Sequence, residues 1–137
     1  MKYDLNCKIK FRTKRAFFIN NRFLNKKLWF LIQAVQKQII PLLKEILKHI
    51  PTIDTVVTTG HSLGGALAVL CAFDLSLKFK EDPDLGQLEI PDEETFIKDD
   101  RKIKCITFGA PKVGCFAFRK KFHCEVGIEN CIQGNVY

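Results

Sequence analysis

Residues 55–75 read TVVTTGHSLGGALAVLCAFDL, and the fold turns on how this stretch is divided. Its opening TVVTT is β-branched with little polar-apolar alternation, which predicts a strand buried on both faces, as in a parallel sheet. LGGALAVLCAFDLSLKF, starting at Leu63, is apolar nearly all round as far as Phe73 and predicts a buried helix in which Ala66, Ala68 and Ala72 allow close approach. Gly60-His61-Ser62-Leu63-Gly64 stands between them, where the chain must turn sharply from strand to helix.

A serine hydroxyl is a weak nucleophile at neutral pH, so a hydrolase has to expose it, bring it near a base and surround the developing oxyanion with donors. A tight strand-to-helix turn meets two of these needs. It puts Ser62 at the tip in a strained backbone conformation, and it puts the amide of Leu63 at a helix amino terminus, where free N–H groups favour negative charge. Positions two before and two after the serine nearly touch in such a turn, so Gly60 and Gly64 are expected to be small for that reason, with Gly65 continuing the run. His61 is expected to pack or hydrogen-bond beneath the turn, because adjacent residues there point in different directions. Gly-x-Ser-x-Gly alone arises by chance in about one chain of this length in twenty at ordinary glycine and serine usage. The strand before it and the helix after it make the signal stronger. A phosphate-binding P-loop is excluded, since it requires Lys and then Ser or Thr after its last glycine and Ala66 follows Gly65.

On the amino-terminal side, Leu28, Ile32, Val35, Ile39, Leu42, Ile46 and Ile50 recur three or four apart, with Lys37, Lys44 and Lys48 between them. This predicts an amphipathic helix over 25–50 with one face packed on a sheet, kinked or split at Pro41. Residues 1–24 are basic, dotted with Phe and without a sustained period, so irregular or edge structure is expected. Beyond the second helix, residues 80–102 hold most of the acids with two prolines and a glycine, and predict an acidic surface excursion whose pairs Glu93/Glu94 and Asp99/Asp100 are solvated charge rather than a calcium loop. IKCITFG predicts a second strand ending in a sharp loop at Gly109, Ala110 and Pro111, and FAFRKKF a short helix. Helices and strands in this order predict one α/β domain over 1–137 with a parallel sheet.

Charge is unevenly spread: residues 1–50 hold twelve Lys or Arg against two acids, 51–100 three against eleven, and 101–137 seven against two. No zinc-finger spacing or RNA-binding signature accompanies the basic third, so nucleic acid is not expected as a partner. The six cysteines (7, 71, 105, 115, 124 and 131) form no CxxC pair, and two fall in apolar runs, so free thiols are expected and no metal site. The charged start lacks the apolar core of a signal peptide, and no run long enough to span a bilayer occurs, which predicts a cytoplasmic protein or one peripheral to an intracellular membrane.

The two blocks VVTTGHSLGGALAVLCAFDL and ITFGAPKVG resemble, in order and spacing, the class 3 or fungal-type lipases of the α/β-hydrolase fold, and related diacylglycerol lipases; the resemblance covers about residues 28–122. It implies a partial α/β-hydrolase fold with a mainly parallel sheet flanked by helices. It also implies hydrolysis of carboxylic esters in acylglycerol-type lipids, of the triacylglycerol lipase type, through an acyl-enzyme on Ser62. Leu63 would donate its N–H to the oxyanion, no cofactor would be needed, and the basic, Phe-rich amino-terminal region would have a use at a lipid surface.

The sequence departs from the family in its triad, whose order is serine, aspartate, histidine. No aspartate follows Asp100, and the substitutes on offer are His123 with Glu125 or Glu129, or Asp99 or Asp100 with His123. The final CIQGNVY resembles the start of the strand that leads to the family's aspartate, so the expectation is a domain that stops before its triad is complete. The glycine of the family's second oxyanion loop is missing at Phe11, Arg12 and Thr13, and no donor is assigned there. Two alternatives stay open: a remnant without catalysis that serves as a lipid-surface or protein-interaction module, and an esterase or thioesterase of the same fold.

Overall fold

A computed structural model describes residues 26–90 and 97–134. The basic, Phe-rich amino-terminal region, the Phe11–Thr13 phrase and the Glu93/Glu94 pair lie outside the described residues. The described elements are α1 (Lys26–His49), β1 (Thr55–His61), α2 (Leu63–Glu81), the helical turn α3 (Pro83–Gly86), β2 (Gln87–Ile90), β3 (Ile97–Asp100), β4 (Lys102–Phe108), α4 (Phe116–Val126), a 3-10 turn (Ile128–Asn130) and β5 (Cys131–Gly134).

Three strands form a parallel sheet in the order β1-β4-β5, with Thr55 opposite Lys102 through His61 opposite Phe108, and Cys105 opposite Cys131. The strand order advances in one direction. Right-handed crossovers therefore put α2 and α4 on the same face of the sheet. Between those helices and the strands, Phe73 is fully buried, meeting Phe118 edge-on at 5.3 Å and stacking with Phe122 at 6.5 Å. Inside the sheet, Thr58 donates its hydroxyl to the Ala68 carbonyl at 3.1 Å, tying β1 to α2.

The strands are not buried on both faces as their composition predicts. Along β1 the burial alternates: Thr58 is buried and Val57 is 50% exposed, with Thr59 and His61 also exposed. β4 alternates in the same way, with Ile103, Cys105 and Thr107 inward and Phe108 outward. A β-branched run marks a strand, but which faces are covered depends on what the rest of the molecule lays against it.

α1 runs unbroken through Pro41, which sits on its exposed side. Its inner seam is Leu28, Ile32, Gln36, Ile40, Leu43 and Leu47, while Leu31, Val35, Leu42, Ile46 and Ile50 form a second, exposed apolar line. The predicted face therefore mixed the two seams. α1 packs on α2 and α3 rather than on the sheet, and the pair Lys44–Asp82 fastens it at that end. Gln36 is buried in the inner seam, and its Nε2 has no hydrogen-bond partner among the described residues. None of the described helices is long and apolar enough to cross a membrane.

The described parts of the expected acidic excursion, residues 80–90 and 97–102, carry regular structure. Asp82 caps α3 by accepting from the amide of Asp84, and β2 and β3 pair antiparallel with Gln87 opposite Asp100 and Ile90 opposite Ile97. Arg101 ties this segment to the loop before β1 at the point where the chain enters β4. The guanidinium is buried and donates to five backbone carbonyls: Ile53 (2.9 Å), Leu85 (3.1 Å), Pro51 (3.2 Å), Asp84 (3.5 Å) and Gln87. A cavity of about 440 Å³ opens beside it, lined by Lys80, Lys102, Asp100 and Glu125 among others.

Candidate active site

Ser62 stands at the carboxyl end of β1, in the junction before α2, with φ 51° and ψ −123°. Among the described residues it alone has a positive φ without being glycine. An L side chain is strained there by roughly 1–3 kcal/mol. The strand ends hold it in place, since the Ser62 N–H donates to the Phe108 carbonyl at 2.9 Å. The Ser62 carbonyl already takes the first helical bond, from Ala66 at 3.1 Å, but its side chain makes no capping hydrogen bond. A serine at a helix start ordinarily spends its hydroxyl on that cap. In this conformation the hydroxyl stays exposed and the first amides of α2, including that of Leu63, remain without intrahelical partners.

Small residues make the junction possible, and positions 60 and 64 nearly touch as expected. A Cβ at Gly60 would collide with the carbonyl of Gly64 and lie 2.7 Å from the Gly65 nitrogen. A Cβ at Gly65 would be 2.8 Å from the Ala110 Cβ and 3.0 Å from the Gly60 oxygen. At Gly64 it would meet nothing within 4 Å. Gly60 thus approaches the backbone of both Gly64 and Gly65, while the Cα of Gly64 faces open space, so the positions that must lack a side chain are Gly60 and Gly65, the latter with Ala110 against it. His61 does not lie beneath the turn. It ends β1 on the exposed face, opposite Phe108, because strand alternation carries on up to the turn.

The substitute partners are not gathered around Ser62. α4 runs back from the carboxyl ends of the strands, and near its far end Glu125 bonds Lys80 at 2.7 Å and pairs with Lys121. Lys80 is the next-to-last residue of α2, and about 25 Å of helix separate it from Leu63. His123, two residues before Glu125, and Glu129, in the turn that leads into β5, belong to that far end. Asp99 and Asp100 close β3, just before β4 begins, and are also at the amino ends of the parallel strands. Burial and then the charge of Arg119 hold the His123 imidazole below its usual range, so it is neutral near pH 7. The Glu125 carboxyl would be raised by burial, but the hydrogen bonds from Lys121 and Lys80 outweigh this and lower it. No imidazole hydrogen-bonds to Ser62 among the described residues, and none of their His, Cys, Asp and Glu side chains form a group able to hold a metal ion. The five described cysteines are free; burial pushes the thiols of Cys71 and Cys131 up to about 11, while Cys115 and Cys124 are exposed.

The sequence model of the family described as lipase (class 3) matches residues 4–131. The chain belongs to the class 3 lipase family. Its described part, a parallel sheet with helices packed against it, is a partial α/β-hydrolase fold. Similar to this member of the class 3 lipase family are rice phospholipase A1-II 5 (Oryza sativa subsp. indica), 35% identical over 50% of this chain and 12% of that protein, and Arabidopsis thaliana phospholipase A1-Igamma2, chloroplastic, 32% identical over 61% of this chain and 13% of that protein. Phospholipase A(1) DAD1, chloroplastic, also from Arabidopsis thaliana, is 36% identical over 48% of this chain and 11% of that protein. The matched stretches thus cover about an eighth of the length of these curated relatives. No solved structure matches the chain.

Proposed function

We propose that this class 3 lipase domain carries the nucleophilic half of a lipid ester hydrolase, with Ser62 as the nucleophile and the Leu63 amide as an oxyanion donor. The ester would be an acyl ester of a glycerolipid, a reading supported by the family and by relatives named phospholipase A1. The observation that carries it is Ser62 itself: a non-glycine residue held at positive φ at the head of a helix, with its hydroxyl exposed and spent on no cap.

In the first step the Ser62 oxygen bonds to the ester carbonyl carbon, and the carbonyl oxygen takes the negative charge beside the free amides of α2. The tetrahedral species collapses by breaking the bond to the alcohol oxygen, which leaves with the serine proton. Water then adds to the acyl-enzyme, the carboxylic acid departs and the hydroxyl is restored. Proton transfer away from Ser62 is the step without a partner among the described residues, so it is the step an experiment has to test. Release of fatty acid from phosphatidylcholine vesicles by the full chain should fall at least about a thousandfold in Ser62→Ala. Equal release by both proteins would refute the assignment, and no release by either would favour the binding-module alternative.

A further inference from the structure

Phe108 is the last residue of β4, and its carbonyl receives the Ser62 N–H, so the two residues are neighbours across the strand ends. Its pairing opposite His61 puts its side chain on the sheet face that α2 and α4 do not cover. The ring is 43% exposed, yet it is not loose in solvent. It lies across the backbone of Gly134 in β5, where a Cβ would be 2.7 Å from the ring Cδ1 and 3.0 Å from Cε1. On the other side of Ser62, Leu63 is 54% exposed at the start of α2. Ser62 is thus flanked by two residues with exposed apolar side chains, Leu63 next in the chain and Phe108 through the strand-end hydrogen bond. The charged groups Lys80, Lys102, Asp100 and Glu125 line the cavity at the opposite end of the strands.

We propose that Phe108, seated on Gly134, is the wall against which the acyl chain of the substrate lies, and that it makes the site select long acyl chains over short ones. This rests on Ser62 being the nucleophile. An aromatic side chain removed from contact with an acyl chain gives up apolar area that translates to about a tenfold change in rate or binding.

The test compares an ethyl and a dodecyl fluorophosphonate as probes of the full chain. Each forms a bond from the Ser62 oxygen to phosphorus, with fluoride leaving and the hydroxyl proton passing to solvent. Wild type should label about tenfold faster with the dodecyl probe. Phe108→Ala should erase most of that advantage by slowing the dodecyl probe more than the ethyl probe, and Phe108→Leu, which keeps an apolar side chain, should retain most of it. An unchanged dodecyl-to-ethyl ratio in Phe108→Ala would overturn the proposal, as would a parallel loss of both rates with earlier melting, which would mark Phe108 as structural only. No labelling of wild type by either probe would remove the Ser62 reading and this inference with it, whereas labelling at Ser62 without chain preference would remove this inference alone.

Discussion

The two ends of the parallel strands are built to opposite standards. At the amino ends the polar groups are provided for: the Arg101 guanidinium satisfies five carbonyls, and Glu125 is held by Lys80 and Lys121. At the carboxyl ends the chain keeps what a stable turn would dispense with, namely a serine at positive φ, an uncapped helix start, and Leu63, Phe108 and Phe116 exposed. Both ends belong to the same three strands, so the difference is local. Strain and unmet hydrogen-bonding capacity persist where reactivity is useful, and the far end supplies the stability that tolerates them.

The comparison breaks most readily at the glycines. Gly60→Ala should destabilise the fold by more than about 3 kcal/mol, because its Cβ strikes backbone that cannot yield. Gly65→Ala should be milder, since Ala110 presents a side chain. Gly64→Ala should be neutral or raise stability by about 0.5–1 kcal/mol, as expected of alanine in a helix with open space around it. Thermal melts of the three variants would check this order, and equal losses at 60 and 64 would show that the turn closes differently. At the far end, Arg101→Ala should cost about 3 kcal/mol, because buried carbonyls lose their donor. Lys in its place should recover only part of this, lacking the planar fork.

Smaller effects sharpen the contrast. Ser62→Gly should raise stability by about 1 kcal/mol as the positive φ becomes unstrained, even as it removes the proposed nucleophile. A fall in melting temperature would deny that the junction is strained. Glu125 gives the pH dependence. Its folded pKa is depressed, so its contribution is present above the ordinary value of 4.5 and is lost as pH falls through the lower folded value. Glu125→Gln should therefore flatten the acid limb of the stability curve below about pH 4.5 and leave the slope near neutrality unchanged.

Much of the fold was legible because local signals agreed. The run 55–75 divides into strand, turn and helix where its side-chain classes change, and the period of α1 marks its helix, although that helix continues through Pro41, where the missing donor leads one to expect a kink or a split. What eluded the sequence depends on partners. The α1 apolar positions form two seams that periodicity merges, and only packing against α2 shows that Ile40, Leu43 and Leu47 face inward while Val35, Leu42 and Ile46 do not. Arg101 reads as one more surface charge, because its acceptors are carbonyls and carbonyls leave no trace in sequence. In the site, the need for small residues around Ser62 and the approach of positions 60 and 64 were readable, whereas the open space at the Gly64 Cα and the contact of Gly65 with Ala110, which arrives from another loop, were not. The separation of His123 from Ser62 follows from α4 running back along the strands, which a pattern of residue types does not give.

Intact-mass spectrometry of the full chain after exposure to a fluorophosphonate tests whether Ser62 is an activated nucleophile. A single added phosphonyl group, mapping to the peptide with Ser62 and absent from Ser62→Ala, is expected. An unmodified wild type, or equal modification of the two proteins, would contradict it.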